Sequence, residues 1–329
     1  MTDVVVTGAT GFVGHHVMEG LHGRAARVRA VVRETSDTRH LRSLGVEICT
    51  ASLSDPAALR ATLEGATTVI HLAALTHART EAELQRVNGQ GTAALVDAAV
   101  ASRHDGAAVR FVYLSSLAAV GPSLDGAPVT PSTEPRPLTA YGRSKLAGEA
   151  PVKAARSRGI EDVILRAPAV YGPGDRELLR FFRLARIGVM PIPGGSGRRL
   201  QMVHVEDLAR AIADAAAAPS LTGLFHIADP QAYDMAELYR LVGAAVGRSP
   251  KLLRVPGAAI ELAAAVSELS AKAVNRSTMF SREKVRELLA PGWLCETAGA
   301  KEAFGFAAGI PLAQGLRDTA EWYRFHGWL

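Results

Sequence analysis

Cysteine is nearly missing from this chain: two in 329 residues, Cys49 and Cys295, far apart and outside any metal-ligand spacing. That excludes a disulfide framework, and with no Cys/His cluster elsewhere it points to a cytoplasmic protein that works without a metal. Aromatic residues are also scarce, at 5%, and the arginines are scattered rather than massed. The mild net charge of +5 therefore forms no basic stripe with interleaved stacking side chains, and nucleic acid is not an expected partner. A phosphorylated cofactor suits that charge as well. No basic segment precedes an apolar run at the N-terminus, so no signal peptide is expected. No membrane span is expected either, because the most apolar late stretch, 255–269, is short and carries Glu261 and Glu268.

What the chain does have is rhythm. Short β-branched runs at 3–8, 27–33, 47–51, 67–74, 110–116 and 162–168 alternate with amphipathic segments near 12–22, 55–64, 81–102 and 140–158. Strands separated by helices predict βαβ units and a parallel sheet with right-handed crossovers. The near-continuous apolar character of 4–6, 69–75 and 111–114 predicts burial on both faces. After residue 172 the rhythm loosens into "YGPGD" and "MPIPGGSGRR", then "QMVHVEDLARAIADAAAA" and "GLFHIAD". The expected architecture is α/β: a doubly wound Rossmann sheet over 1–172, with 201–229 returning to it. A smaller, mostly helical substrate lobe is expected from 173–200 and 230–329.

"TGATGFVGHHV" places Gly8, Gly11 and Gly14 between the first strand and a helix, with Thr10, Phe12 and Val13 between them. Glycine lets the backbone approach a pyrophosphate, and the helix N-terminus favours its charge. A glycine-rich loop in this strand-to-helix context predicts a dinucleotide site. The second strand ends on Arg33, with Ser36 and Arg39 on the loop that follows. An arginine there accommodates a 2′-phosphate, whereas an acid binds a free ribose. The pattern favours NADP(H), with NAD(H) possible if Glu34 or Asp37 meets the ribose.

In "LTAYGRSKLAGEAP" Thr139 is a candidate cap, and Tyr141 and Lys145 share one helical face. Together with "TGATGFVG", "HLAA", "YLSS" and "RAPAVYGPGD", this helix makes residues 4 to about 230 resemble the extended short-chain dehydrogenase/reductases. The tail is closest in feel to the hydroxysteroid-dehydrogenase-like and dihydroflavonol-reductase-like branches. The resemblance implies Tyr141 as general acid/base and Lys145 lowering its pKa while holding the nicotinamide ribose. It implies Ser116, or failing that Ser115, as the group that binds the substrate oxygen. It further implies cofactor contacts from Leu72, Ala73, Ala74, Ser52, Leu53, Pro168 and Val170, and substrate contacts from Thr76, Leu117, Tyr171 and Arg176. Asn88 would bend or pack its helix, or relay protons, and Arg166 would bind backbone or a carboxylate. Helices 81–102 and 140–158 would form a homodimer interface.

Two departures stand out. Ala51-Ser52-Leu53 replaces the usual Gly-Asp-Leu, losing an adenine contact. Leu200 occupies the place of a diphosphate-binding arginine, with Arg199 beside it, which argues against a nucleotide sugar. Segment 252–275 reads as a core-facing helix through Ile260, Leu262, Ala263, Val266 and Leu269, or as the wall of an apolar pocket. Trp293, Trp322 and Trp328 read as lobe core. The leading expectation is an NADP(H)-dependent oxidoreductase interconverting a ketone and a secondary alcohol on a small, largely apolar molecule. A NAD-retaining nucleotide-sugar epimerase or dehydratase and a non-catalytic dinucleotide sensor are the alternatives. Separate titrations of NADPH and NADH against the purified protein check the Arg33 argument: NADPH is expected to bind more tightly, and NADH binding without an NADPH preference overturns it.

Overall fold

The computed structural model describes residues 3–103, 106–194, 197–273 and 281–329. Seven parallel strands form the main sheet: β1 (Asp3–Thr7), β2 (Arg27–Val32), β3 (Glu47–Thr50), β4 (Thr68–His71), β5 (Val109–Ser116), β6 (Ile160–Ala167) and β7 (Gly223–His226). Their order across the sheet is β7-β6-β5-β4-β1-β2-β3. The chain thus winds outward in both directions from β1, and the crevice between β1 and β4 is the topological switch point where such sheets bind ligands.

The main helices are α1 (Phe12–Leu21), α2 (Pro56–Leu63), α3 (Gly91–Ala101), α4 (Ala140–Ala154), α5 (Leu179–Ile187), α6 (Val205–Ala217), α7 (Met235–Ala245), α8 (Gly257–Ala273), α9 (Arg282–Leu289) and α10 (Leu312–Phe325). Several starts follow from local chemistry. Asp55 accepts from Ala57 and Ala58 N–H ahead of Pro56, Thr139 accepts from Gly142 N–H, and Ser281 accepts from Lys284 N–H.

Side chains alternate across each strand, and each face has its own core. Val4, Val6, Val32, Ile70, Val112 and Leu165 pack with Val17 and Met18 of α1 and Leu208 and Ile212 of α6. Val5, Val31, Val69, Phe111 and Ile164 pack on the opposite face with Leu59 of α2, Leu95 of α3 and Val152 of α4. Burial on both sides explains why these strands read as unbroken apolar runs.

The later segments build the lobe. Val189–Pro193 pairs in parallel with Lys251–Val255, and Arg199–Leu200 lies between Tyr233–Asp234 and Gly292–Trp293. Phe182, Tyr239, Leu316 and Tyr323 form its core, with Trp322 and Trp328 packed against it. The expected helix over 252–275 begins later, at Gly257, because 251–255 is recruited into the ribbon. Its last two positions, 274 and 275, lie outside the described residues. Ile260 and Ala264 are buried against Val285, while Leu262, Val266 and Leu269 face solvent. No described helix is long and apolar enough to cross a membrane.

Phe111 sits fully buried in the α2–α4 core. Phe111→Ala is expected to destabilise the fold by about 3–5 kcal/mol. Urea unfolding should show this as a lower midpoint against wild type.

Candidate active site

The carboxyl ends of β1, β4, β5 and β6 open into one cavity of about 1860 Å³, which continues into the lobe. At β1 the loop is tightly built. A Cβ on Gly8 would lie 2.5 Å from Ala73 N, and one on Gly14 only 2.1 Å from Gly8 O. Gly11 caps α1 without a side chain, and the first turn carries no acid. The first amides of α1 are therefore left for a ligand, and Gly8, Thr10, Gly11, Phe12, Val13 and Gly14 all border the cavity. This cradle fits a dinucleotide pyrophosphate.

Tyr141, Lys145 and Ser116 border the same cavity. Ser116, at the end of β5, accepts from Ala118 N–H at 3.1 Å, and it is the neighbour that opposes the rise of the Tyr141 phenol. Ser115 also borders the cavity, but it is buried and donates to Glu149 at 2.7 Å. The two serines that the sequence left open thus differ in their partners.

Lys145 is 2% exposed, with Nζ 4.2 Å from the centroid of the Tyr113 ring. Burial pulls its pKa down to about 7, opposed by Glu149 one turn along the helix. Tyr141 differs from the sequence expectation. Its phenol is pushed up to about 12, chiefly by burial, with Glu287 and Glu177 adding to the rise and Ser116 opposing it. The helical spacing to Lys145 does not by itself lower it, because burial disfavours the phenolate.

Glu149 is the hub beneath these groups. Arg166 grips both its oxygens at 2.8 Å, Ser115 donates to it, and Lys153 reaches it at 3.3 Å. Burial opposes its charge, but Arg166, Ser115 and Lys153 prevail and hold its carboxyl below the ordinary range. Arg166 binds a carboxylate, as the sequence suggested.

Two features escaped the sequence reading, and another, at Asn88, was named there only as a bend, a packing residue or a relay. His71, seen there only as the start of a backbone segment, is fully buried between Thr7 (2.6 Å) and Thr92 (2.9 Å). Burial, with Lys145 nearby, lowers its pKa to about 3. Asn88 sits in a π-helical stretch, Gln85–Gln90, that interrupts the predicted helix 81–102. Its side chain exchanges two hydrogen bonds with the Leu75 backbone and donates to Ser144 at 2.9 Å. Thirdly, α9 docks on the start of α4: Ala140 N–H donates to Glu283 at 2.7 Å, and Thr139 donates to Glu287 at 3.2 Å. A buried histidine within an apolar strand was a readable signal for the first; long-range docking by α9 had none.

The other predicted residues divide. Leu72, Ala74, Pro168, Val170, Thr76, Leu117 and the exposed Arg176 border the cavity. Ala73 lies behind Gly8 instead. Tyr171 is corrected: it is buried against His204 and Gly315, away from the cavity, because its strand pairs with Met202–His204 and turns the ring into the lobe core. Arg33, Ser36, Arg39, Ser52 and Leu53 lie outside the cavity wall. Arg33 is exposed and its guanidinium makes no hydrogen bond among the described residues, whereas Arg39 is held by Asp37 at 2.5–3.1 Å. Ser52 bonds Ser54, and Leu53 packs beside Gly91.

The fold and this cavity define a Rossmann-type α/β protein of the dinucleotide-dependent kind. Residues 4–227 match the model of the NAD dependent epimerase/dehydratase family, and the chain belongs to that family. It is 36% identical to a ceramide reductase of Caulobacter vibrioides, over 99% of this chain and 96% of that protein. It is 30% identical to the 4-hydroxy-2-methyl-3-oxo-4-farnesyl-3,4-dihydroquinoline-1-oxide ketoreductase of Stigmatella aurantiaca, over 53% of this chain and 52% of that one. Among solved structures, gox2253 superposes with a TM-score of 0.81 at 26% identity, covering 100% of both chains. The chain is an NAD(P)-dependent oxidoreductase of the extended short-chain dehydrogenase/reductase type.

Replacing Glu149 tests the hub. Glu149→Gln removes the charge that raises the Lys145 pKa, so that pKa should fall below about 7 and the ammonium fraction at neutral pH should drop. Carbon-13 NMR titration of the lysine ε-carbons, assigned with Lys145→Met, reads this directly. Arg166 left as an unpaired buried charge should cost about 3–5 kcal/mol of stability.

Proposed function

We propose that this protein is an NADP(H)-dependent reductase that interconverts a ketone and a secondary alcohol on a molecule with a long apolar body. The observation that carries the reading is that Tyr141, Ser116 and Lys145 border one cavity that continues among apolar side chains of the lobe. Phe182, Met202, Leu238, Val242, Ile260 and Trp322 are among its lining residues. Its volume exceeds the ~300–1,000 Å³ of an ordinary single-ligand pocket, which suits a dinucleotide and a second extended molecule together. The two relatives named above support this class, since one is a reductase named for ceramide and the other a ketoreductase named for a farnesyl-bearing ring.

A bound nicotinamide supplies the hydride. The chain does the rest. Ser116 donates a hydrogen bond to the carbonyl oxygen, and Tyr141 gives its phenolic proton to that oxygen as negative charge develops there. A phenol held protonated at neutral pH suits the reductive direction. Lys145 would hold the nicotinamide ribose, and in its ammonium form it would favour the phenolate of Tyr141. Arg33, exposed and unengaged at the end of β2, is the group that receives a 2′-phosphate.

The test is a panel of ketones differing in apolar tail, assayed with NADPH. Long-tailed ketones should be reduced by the wild type. Tyr141→Phe should lower kcat by about 10²–10⁴-fold while dinucleotide binding persists. Equal rates in the two proteins, or no turnover of any ketone, would sink the reading.

A further inference from the structure

Seven large hydrophobic side chains are exposed among the described residues, and five of them lie on α8, on the ribbon that leads into it, or on the helix end that leads into that ribbon. Leu262, Val266 and Leu269 follow one another at helical spacing on α8 and are 61–73% exposed; Ile187 and Leu253 lie on or beside the ribbon that precedes it. The ribbon ties these together, since Lys251 N–H donates to Gly188 O at 2.8 Å. A helix that buries Ile260 and Ala264 against Val285 has already spent one apolar face on the core. Its second apolar face has no partner among the described residues, and soluble surfaces rarely leave such stripes without a use.

Two observations say what covers it. First, charge: exposed Arg186, Lys251 and Arg254 accompany the apolar side chains, against exposed Glu261. Glu268 is already engaged by Arg282, whose N–H donates to it at 2.7 Å. An apolar stripe beside a basic excess matches an anionic lipid surface, where such helices lie in the interface plane. Second, place: Ile260 and Ala263 of the same helix border the cavity. The helix is therefore both outer surface and cavity wall.

We propose that α8 and the adjoining ribbon dock on an anionic lipid bilayer, bringing the cavity wall to the surface from which an apolar substrate enters. This rests on the lipid-ketone reading for its purpose, but not for its test.

The test is co-sedimentation of the full chain with phosphatidylcholine vesicles, with and without phosphatidylglycerol. Wild type should bind the anionic vesicles, less so as salt rises. A Leu262→Gln, Val266→Gln, Leu269→Gln triple variant keeps good helix formers on an exposed face. It should lose at least tenfold in vesicle binding with an unchanged circular dichroism spectrum. It should reduce a short, water-soluble ketone at the wild-type rate, and a vesicle-borne long-chain ketone at least tenfold more slowly.

Failure of wild type to bind anionic vesicles, or equal binding by the triple variant, overturns the proposal. So does a wild-type dimer that the triple variant converts to monomer without any vesicle binding, which assigns the face to a second copy. Vesicle binding lost in the triple variant, with no ketone turnover by any form, upholds the docking face and overturns the substrate reading instead.

Discussion

The buried ion pair between Glu149 and Arg166 is the constraint on which the site depends. Both side chains are 1% exposed, and taking two charges out of water is costly unless nearly every hydrogen-bonding position on the carboxylate is satisfied. Here Arg166 takes both oxygens in a fork, and Ser115 and Lys153 complete the set. Those partners come from β6, which ends just before Pro168, from β5, which ends at Ser116, and from α4, which begins beside Tyr141. Moving any one of them against the others would strip the carboxylate of a partner. Geometry at the cavity wall is therefore fixed from beneath by an interaction that never touches a ligand.

The same burial sets the chemistry. Water excluded from around Lys145 pulls its pKa down to about 7, and water excluded from around Tyr141 pushes the phenol up to about 12. Both groups are driven toward their neutral forms, the state a low-dielectric cleft favours. The sequence suggested the pair but assigned the lysine's effect to proximity alone. Proximity is a matter of spacing, which four residues of helix reveal; desolvation depends on everything packed around the pair, which they do not.

That difference explains what was legible. Six strands and the glycine loop were readable because their causes are local: β-branched runs buried on both faces, and glycines where a Cβ would strike Ala73 or Gly8. The choice between Ser115 and Ser116 was not, since it turns on the position of Glu149 thirty-four residues away. Tyr171 was misplaced for a similar reason: adjacency in "VYGPGD" says nothing about its strand pairing with Met202–His204. The exposed face of α8 is the sharpest case. Apolar residues at helical spacing predict a buried face, but periodicity cannot say whether a partner is present to bury it.

The lobe is coupled to the chemistry through one contact in particular. The first amide of α4, at Ala140, donates to Glu283, and the capping Thr139 donates to Glu287, both from α9. Carboxylates at a helix N-terminus are favourably placed against its dipole, so α9 stabilises the start of the helix that carries Tyr141 and Lys145. Glu287 also helps keep the Tyr141 phenol protonated. Because Val285 of α9 packs with Ile260 of α8, the helix that carries the outer apolar stripe touches the one whose carboxylates engage the start of α4.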